Sequence, residues 1–372
     1  MTIANGERAT AIDAFAGCGG LSLGLRRAGF DVRVAFDNNR FAAATYRRNI
    51  GGVFLQVDAR KLAADELLAA ARLKAGECAL LAGGPPCQGF SVQRRDPHGD
   101  DRNGLLAEFL RFVADIRPAL FVMENVQGLK GTRSGAYFRA FLQRAQELGY
   151  LCQWRVLDAV DYGVPQSRRR LFVVGERETV TGPHFDFPAP THASSDRLAV
   201  RDAIGDLPPP PPDHAEHPDW PNHRQTRMSA LNLRRISFVP QGGGWQNIPE
   251  HLRAECHSPG AERIGHRYVY GRMDWGEPAP TITARFDSFT RGKFAHPRAD
   301  RTITLREGAR LQTFSDSFVF EGPQEEVASQ IGNAVPPRLA EALGRALLDA
   351  LARRERNALG VEREHQLALP LR

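Results

Sequence analysis

The sequence predicts an α/β protein with a mostly parallel β-sheet. Over roughly the first 175 residues, short apolar runs alternate with amphipathic segments. This alternation is typical of βαβ units, whose sheet is covered by helices on both faces. Several of the apolar runs also end in Asp, Asn, Glu or Gly. Because the carboxyl ends of the strands hold the ligand in such sheets, we expect a binding site at that edge.

The individual elements follow from the periodicity of the apolar residues. Strands are predicted at Thr10–Ala16, Val32–Phe36, Val53–Val57, Cys78–Ala82, Leu120–Glu124, Trp154–Leu157 and Leu171–Val174. Helices are predicted at Leu21–Ala28, Arg40–Arg48, Ala63–Ala75, Leu105–Ile116, Tyr137–Leu148 and, near the end of the chain, Pro336–Arg353.

The alternating pattern breaks after residue 176. Residues 182–246 are rich in Pro and His and include the unbroken run Pro208–Pro212, which predicts loop or polyproline II spacer. A region of short strands and loops is expected from there to about residue 300. The length of 372 residues suits two domains, perhaps three. We assign 1–176 plus 320–372 to one domain, in which the C-terminal helix returns to the N-terminal half, and 177–319 to a smaller irregular domain.

Composition excludes several classes of protein. Hydrophobic residues make up 42% and charged residues 25%, which is ordinary globular usage rather than that of a disordered chain. The mean hydropathy of −0.38 and the lack of apolar runs near 18 residues predict no spanning helix. The polar start predicts no secretory signal. Five cysteines without a CxxC suit a reducing cytoplasm better than a disulfide framework.

Positive charge is concentrated in two places. The net charge is +6, and the segment 221–241 contains Arg224, Arg227, Arg234 and Arg235 but no acidic residue. A second basic cluster is formed by Arg168, Arg169 and Arg170. Clustered arginines either contact phosphates or solvate a loop, and charge alone leaves both interpretations open.

A glycine-rich turn follows the first predicted strand. Asp13-Ala-Phe-Ala-Gly-Cys-Gly-Gly20 leads directly into a helix, where glycines let the backbone approach a ligand near free N–H groups. The spacing GxGG differs from the dinucleotide fingerprint, and such turns are also plain sheet-to-helix corners. Asp37 and Asp58 end the second and third strands. One acid after each of three successive strands favours a nucleoside ligand.

A second turn holds a cysteine at the end of the fourth strand. In the segment Gly83-Gly-Pro-Pro-Cys87, two Gly and two Pro force a sharp turn, and a thiol at such a position can ionise. Cys78 and Cys152 lie within apolar runs and are predicted to be structural. Residues 88–103 are polar and predict either a lid or a long surface loop.

Two further sites contain charges beside apolar strands. Glu124 follows four apolar residues, so its carboxyl must be paired, protonated or exposed at the sheet edge; a helix cap or a salt bridge is the structural alternative. Alternation along Gln166-Ser-Arg-Arg-Arg170 sends Arg168 and Arg170 to one side and Arg169 to the other. As an isolated charge run this segment would be solvated.

Taken together, these segments resemble the cytosine-C5 DNA methyltransferases. The matching blocks, in order, are DAFAGCGGLSLGL near the start, PCQ at 86–88, ENV at 124–126, QSRRR at 166–170, REGARLQTF at 306–314 and QIGNAVPP at 330–337. The resemblance covers about residues 10–176 and 276–350. It implies a Rossmann-like, S-adenosylmethionine-dependent catalytic domain and, over about 177–275, a variable target-recognition region.

The resemblance implies a covalent mechanism at four residues. C5 of cytosine is a poor nucleophile, so a thiolate adds at C6; Cys87 would be that nucleophile. Negative charge then develops on the ring, and Glu124 could donate to N3 if its burial keeps it protonated. Arg170 would hold O2, and Arg168 would brace the site. The base must be flipped out of the duplex.

The methyl donor implied by the resemblance is S-adenosylmethionine, with no metal. Its pocket would be formed by Phe15, Gly17, Gly19, Gly20, Asp37, Asn38, Asp58, Asn333 and Ala334. Asp37 would take the ribose, and Asp58 would meet the adenine amino group. The family more often has Glu where Asp37 stands, a bulky side chain where Asn38 stands and Ser where Ala334 stands.

The partner implied by the resemblance is duplex DNA, contacted by Arg224, Arg227, Arg234, Arg235, Arg263, Arg267 and Arg272. The chain would be a monomeric bacterial enzyme, cytoplasmic and nucleoid-associated, with any partner endonuclease acting separately. A tRNA methyltransferase of the same fold and an inactive DNA-binding relative are the alternatives. A nicotinamide oxidoreductase is disfavoured by the glycine spacing. The His- and Asp-containing stretch 213–223 lacks a cysteine or rigid element, which argues against a metal site.

Overall fold

The computed structural model describes residues 8–86, 104–131, 135–179, 182–253 and 268–368. Its centre is a seven-stranded sheet in the order β3-β2-β1-β4-β5-β7-β6. The strands are β1 (Thr10–Ala14), β2 (Asp31–Asp37), β3 (Val53–Gln56), β4 (Leu80–Gly83), β5 (Leu120–Val126), β6 (Tyr150–Asp158) and β7 (Arg169–Arg177). All seven were predicted, with ends that differ by a few residues. The first five are parallel, and β7 runs antiparallel to both β5 and β6.

Ten α-helices surround the sheet or lie beyond it within the described residues. Five of them are the predicted N-terminal helices: α1 (Gly20–Ala28), α2 (Arg40–Asn49), α3 (Ala64–Ala71), α4 (Gly104–Ile116) and α5 (Gly135–Glu147). The others are α6 (Val200–Ile204), α7 (Ala230–Ile236), α8 (Leu305–Leu311), α9 (Gln324–Asn333) and α10 (Pro337–Ala368). The last helix continues well beyond Arg353, where the sequence predicts its end.

Each face of the sheet is covered by its own apolar core. On one face, Phe109, Phe112 and Val113 of α4 are fully buried against β1, β4 and β5. On the other face, the C-terminal helix α10 packs against α1, near the start of the chain. The two helices approach so closely that a Cβ at Gly24 would collide with Ala340.

The region between β7 and α8 is built differently from the prediction. A separate apolar cluster includes Ile236, Val239, Trp245 and Phe289, but the described residues there form no strand. Only isolated bridges occur, such as Gln166 with Ala279 and Arg272 with Ala295. Among the described residues of this region, the expected short strands are therefore replaced by loops, since Pro and Gly interrupt any longer ladder. No helix of the described residues is long and apolar enough to cross a membrane.

The strand order creates the place for a ligand. β1 lies between β2 and β4, so the chain proceeds outward from β1 in one direction and then crosses to the other side of it. In open α/β sheets, ligands bind in the crevice outside the carboxyl ends of the strands at such a switch point. The turn after β1, Asp37 at the end of β2 and Glu124 near the end of β5 all lie at this edge.

Candidate active site

One cavity of about 600 Å³ opens at this edge of the sheet. Its lining draws together segments that are far apart in the sequence, from the turn after β1 to the turn between α9 and α10. The predicted site residues that line it are Phe15, Gly17, Gly20, Asp37, Asn38, Asp58, Glu124, Arg168, Arg170, Asn333 and Ala334. The structure therefore brings these eleven residues, from distant parts of the chain, into a single space.

Cys87 lies outside the described residues. The turn that leads to it is described: Gly84, Pro85 and Pro86 line the cavity. The side chain of Asn125 lies against this turn, since its Nδ2 donates to the Pro85 carbonyl at 3.1 Å. The end of β5 thus holds the segment that immediately precedes Cys87. Asn125 belongs to the ENV block at 124–126, but the sequence analysis assigned a role only to Glu124 of that block.

The three cysteines within the described residues are unsuited to nucleophilic chemistry. Cys18 and Cys78 are buried, and burial raises the pKa of each thiol to about 12. Cys152 is half-buried, and burial raises its pKa to about 12 as well. A thiol with so high a pKa stays protonated near neutral pH and is a poor nucleophile. This agrees with the structural role predicted for Cys78 and Cys152.

The glycine turn after β1 has two different functions. Gly17 has φ +54°, and no atom lies within 4 Å of the position that a Cβ would occupy, so the backbone borders open space in the cavity. Gly19 also has a positive φ, but a Cβ there would collide with Ile50 and Tyr46. Gly19 is not among the residues that line the cavity, and its part in shaping the pocket stays a prediction. It lets α1 start close to α2.

Phe15 is held in a conformation that is unusual for a phenylalanine. Its φ is +57°, in the left-handed region that side chains seldom adopt. Its ring packs against Phe36 with centroids 5.4 Å apart and borders the cavity. Such backbone strain persists only where the surroundings enforce it and is concentrated at functional sites.

Two carboxylates at the strand ends face the cavity. The Asp37 carboxylate accepts hydrogen bonds from the backbone N–H groups of Gly17 and Asn39, each at 2.9 Å. Burial raises the pKa of Asp37, and these backbone donors oppose the shift. Each oxygen keeps a lone pair for a ligand hydroxyl. Asp58 accepts from the Arg60 N–H at 3.0 Å and is partly exposed.

A third acid, Asp13, begins the glycine-rich turn but was not predicted to be a site residue. Its side chain is fully buried and lines the cavity. Oδ2 accepts from Ser22 Oγ at 2.5 Å, whereas Oδ1 has no hydrogen-bond partner among the described residues. Burial, opposed by the Ser22 hydrogen bonds, raises the pKa of Asp13 to about 7. A buried oxygen without a partner suits a ligand that brings a donor or a positive charge.

The opposite part of the cavity is formed by Glu124 and Arg170. Arg170 Nε lies 3.1 Å from Glu124 Oε1, and both side chains are largely buried, at 15% and 12% exposed. Burial raises the pKa of Glu124, while Arg170 and then Arg168 lower it. A Cβ at Gly84 would lie 3.3 Å from Glu124 Oε2, so the turn before Cys87 passes directly over this carboxyl. Glu124 therefore also forms the salt bridge that the sequence analysis gave as its structural alternative, and this salt bridge lies within the cavity.

Arg168 is a buried brace rather than a solvated charge. Its side chain is 1% exposed, and it donates to the carbonyl of Ile282 at 2.9 Å and to those of Gly332 and Ala334 at 3.0 Å. Its Nε has no partner among the described residues. Arg169, between the two buried arginines, is exposed. The alternation predicted for this segment is confirmed, and the solvated interpretation is wrong for Arg168 and Arg170.

The structure separates the arginines predicted to contact DNA. Arg227 and Arg234 are exposed, and Arg224 lies 4.0 Å from Glu216. Arg235 is half-buried: Nε donates to the Leu252 carbonyl at 2.6 Å and NH1 to the Tyr270 hydroxyl at 3.0 Å. These two bonds give Arg235 a structural role, and its contact with DNA stays a prediction. Arg263 and Arg267 lie outside the described residues.

Arg272 is entirely committed to internal contacts. It is 4% exposed, and its five N–H donors meet four backbone carbonyls and one carboxylate. The acceptors are Val239 O, His296 O, Ala299 O, Ile236 O and Asp300 Oδ1. No donor remains for a phosphate or a base, so the predicted DNA contact of Arg272 is wrong. It instead holds together three loops of the region between β7 and α8.

We expect Arg272→Met to lower the free energy of unfolding by about 3 kcal/mol or more, because it leaves several buried carbonyls without donors. The matched control is Arg234→Met on the exposed side of α7, which should change stability by no more than about 0.5 kcal/mol. Thermal unfolding of both variants checks this. Equal melting temperatures would show that Arg272 does not support the fold.

The stretch considered for a metal contains a histidine with other partners. His223 is buried, and its ring nitrogens lie 2.9 Å from Thr304 Oγ1 and 2.8 Å from the Pro208 carbonyl. Burial lowers its pKa. Within the described ranges, no group of three or more His, Cys, Asp or Glu side chains is arranged to hold a metal ion.

The chain is similar to known proteins over nearly its whole length. The family model described as C-5 cytosine-specific DNA methylase matches residues 9–349. The Type II methylase M.HgiDII of Herpetosiphon aurantiacus is 36% identical, with 93% of this chain and 97% of that protein covered. The Type II methyltransferase M1.HphI of Haemophilus parahaemolyticus is also 36% identical, with 91% and 86% covered.

Solved structures show the same architecture. A putative DNA modification methyltransferase encoded within a prophage of E. coli has a TM-score of 0.65 at 27% identity, with 92% of this chain and 99% of that chain covered. The S. pombe Dnmt2 methyltransferase has a TM-score of 0.58 at 18% identity, with 93% and 99% covered, and shares the fold. With the matched family model and the relatives above 30% identity, these likenesses show that the chain belongs to the C-5 cytosine-specific DNA methylase family and is a DNA (cytosine-5-)-methyltransferase.

Proposed function

We propose that the chain methylates C5 of a flipped-out cytosine within a specific duplex sequence, through a covalent adduct of Cys87, as the modification enzyme of a restriction system. The observation that carries this proposal is the single cavity in which Asp37 and Asp58 lie with Glu124 and Arg170. The names of the similar Type II enzymes support the restriction-modification role and favour DNA over tRNA as the substrate.

The residues around the glycine turn fit S-adenosylmethionine. This cofactor supplies an electrophilic methyl group attached to a sulfonium. Asp37 would bind the ribose hydroxyls, Asp58 the adenine amino group, and Phe15 and Asn38 would border the adenine. Asn333, Ala334, Gly17 and Gly20 would form the walls. The unpartnered Oδ1 of Asp13 suits the positive end of such a ligand, and Gly17 leaves open space for it.

The chemistry begins when the Cys87 thiolate forms a bond to C6 of the cytosine, and the electrons of the C5–C6 double bond move into the ring. Glu124, whose pKa is raised by burial, donates its proton toward N3. Arg170 donates to O2. A bound S-adenosylmethionine would supply the methyl group to C5, with its methyl–sulfur bond breaking so that the sulfur leaves as a neutral thioether. Removal of the C5 proton by a base restores the C5–C6 double bond, the C6–sulfur bond breaks to release the thiolate, and N3 returns its proton to Glu124.

Arg168 acts through other groups in this scheme and does not touch the substrate. It bonds the backbone next to Asn333 and Ala334 and lies two residues from Arg170. It is therefore a positioning residue for both parts of the cavity.

The target cytosine is flipped out of the base stack of the duplex, at a cost of about a few kcal/mol.

The DNA-binding surface in this proposal includes the exposed Arg227 and Arg234 and the partly exposed Arg224, with Arg263 and Arg267 as further predictions. These arginines would contact phosphates or guanines. We further propose that 1–176 plus 320–372 form the catalytic domain and 177–319 the target-recognition domain. The enzyme would act as a monomer at the nucleoid, apart from any cognate endonuclease.

Expression of the chain in cells that lack cytosine methylation is expected to protect one sequence context on a plasmid from bisulfite conversion. The purified protein should transfer labelled methyl groups from S-adenosylmethionine to that plasmid in preference to tRNA. It should also form a covalent adduct with a duplex carrying 5-fluorocytosine at the target position. Preferred labelling of tRNA would overturn DNA as the substrate. Methylation of the plasmid without a trapped adduct would overturn the covalent step.

A further inference from the structure

Two buried glutamines connect separate segments beside the cavity. Gln166, in the turn before β7, and Gln312, at the end of α8, are both fully buried. Their side chains pair directly, because Gln166 Nε2 donates to Gln312 Oε1 at 2.8 Å. Neither residue lines the cavity, so neither is a candidate for contact with the cofactor or the base.

Gln312 holds the turn that closes one wall of the cavity. Its Nε2 donates to the carbonyl of Ile331 at 2.5 Å and to that of Ala334 at 3.3 Å. Arg168 binds the same turn, through the carbonyls of Gly332 and Ala334. This turn joins α9 to α10 and presents Asn333 and Ala334 to the cavity. Two side chains from different parts of the chain therefore determine where the wall lies.

Gln166 holds the segment that precedes the active-site arginines against the region between β7 and α8. Its Oε1 accepts from the Ile282 N–H at 2.8 Å, and its Nε2 also donates to the Leu311 carbonyl at 3.3 Å. Backbone bonds continue this contact: Ser167 N–H donates to the Ala279 carbonyl at 2.9 Å. The proposed recognition region is thus bonded to the strand that carries Arg170.

The two amides have no spare polar group. All four N–H hydrogens and both oxygens of the pair are used within the protein. A buried polar group without a partner is costly, and a fully satisfied buried network holds a single arrangement. The turn 331–334 therefore cannot shift relative to Gln166 without breaking several hydrogen bonds at once.

We propose that Gln312 and Gln166 are positioning residues for methyl transfer, whose paired amides hold the cofactor wall 331–334 in register with Arg168, Arg170 and the recognition-side segment 279–282. Cofactor bound against Asn333 and Ala334 then stabilises the backbone at Ile282 through the amide pair, although Ile282 does not line the cavity. This inference rests on the proposed function, since it assumes that S-adenosylmethionine occupies the cavity.

The wild-type protein provides the first test. We expect saturating S-adenosylmethionine to slow hydrogen exchange at the Ile282 amide by about tenfold, since this amide opens only when its bond to Gln166 breaks. Calorimetric titration of the wild type establishes binding beforehand. Failure of the wild type to bind S-adenosylmethionine would contradict the proposed function itself. Binding with protection confined to residues that line the cavity would instead overturn the positioning role.

Gln312→Met and Gln166→Met provide the second test, because methionine has a similar length and cannot form these hydrogen bonds. Each single variant should weaken S-adenosylmethionine binding by about tenfold, which corresponds to about 1.4 kcal/mol. The double variant should bind only slightly more weakly than either single variant, since the residues act as a pair. At saturating cofactor, the kcat of Gln312→Met should stay within about threefold of the wild type.

Tyr150→Phe is the matched control for the loss of a buried hydrogen bond. The Tyr150 hydroxyl donates to the Pro118 carbonyl at 2.8 Å, and this residue does not line the cavity. The control should lower the melting temperature and leave cofactor affinity unchanged. If Gln312→Met behaves in the same way, or if the effects of the two glutamine variants are simply additive, the glutamines only stabilise the fold and the proposal is wrong.

Discussion

Replacement of Cys87 by serine is expected to abolish methyl transfer while DNA binding is retained. A hydroxyl ionises far less readily than a thiol, so addition to C6 of the cytosine is lost, and we expect kcat to fall by about 10⁴-fold or more. Affinity for duplex DNA should change by less than about threefold, because it depends on phosphate contacts elsewhere. Labelled methyl transfer and a gel-shift titration measure the two quantities.

The matched controls are Cys78→Ser and Cys152→Ser. Both thiols have pKa values raised by burial to about 12, and neither lines the cavity. Each control should keep its rate of transfer, and Cys78→Ser should lose stability because a hydroxyl is buried in an apolar core. Residual transfer by Cys87→Ser at a rate near that of the controls would contradict covalent catalysis by this residue.

Replacement of Glu124 by glutamine is expected to lower kcat by about 10²- to 10⁴-fold, the range typical of the loss of a general acid. The amide has nearly the same shape but cannot transfer a proton to the ring. Burial raises the pKa of Glu124 and so favours its protonated form, against the opposing effect of Arg170 and Arg168. The contribution of this acid should decline as the pH rises through that pKa. Single-turnover kinetics against pH measure both effects.

Glu176→Gln is the control for the loss of a buried carboxylate on the same sheet. Glu176 is 3% exposed and pairs with His184 at 2.7 Å. In the ladder between β5 and β7 it lies opposite Leu120, at the other end from Glu124. The control should destabilise the protein without a comparable change in kcat. A wild-type rate in Glu124→Gln would remove the proton donor from the mechanism.

The sheet could be predicted from the sequence because its signals are local. The strand Leu120–Val126 is marked by the apolar run at residues 120–123, and the helix Gly104–Ile116 by apolar residues on one face. The acids that follow the strands converge for a simple reason, since the carboxyl ends of parallel strands lie at one edge. The sequence therefore predicts that Asp37 and Glu124 lie at the same edge of the sheet, and both line the cavity.

The arginines show where this reasoning ends. Arg234 and Arg235 are neighbours of the same type, yet one is exposed and the other bonds Leu252 and Tyr270. Arg272 finds its acceptors in loops as distant as residues 236 and 300. A guanidinium has the same charge in either setting. Only the packing of non-local loops decides whether it meets a phosphate or a backbone carbonyl.

The sequence by itself determined the strand order along the chain, the two glycine-rich turns and the identity of the reacting groups, because periodicity and residue type are properties of short segments. The tertiary structure decided which of those groups line the same cavity and which hold the backbone in place through hydrogen bonds. It places Gly19 where α1 packs close to α2, Asp13 in the lining of the cavity, and Gln166 and Gln312 in a hydrogen-bonded pair beside the cavity. The reason is that the local sequence around a side chain does not show which distant segment will supply its hydrogen-bond partner.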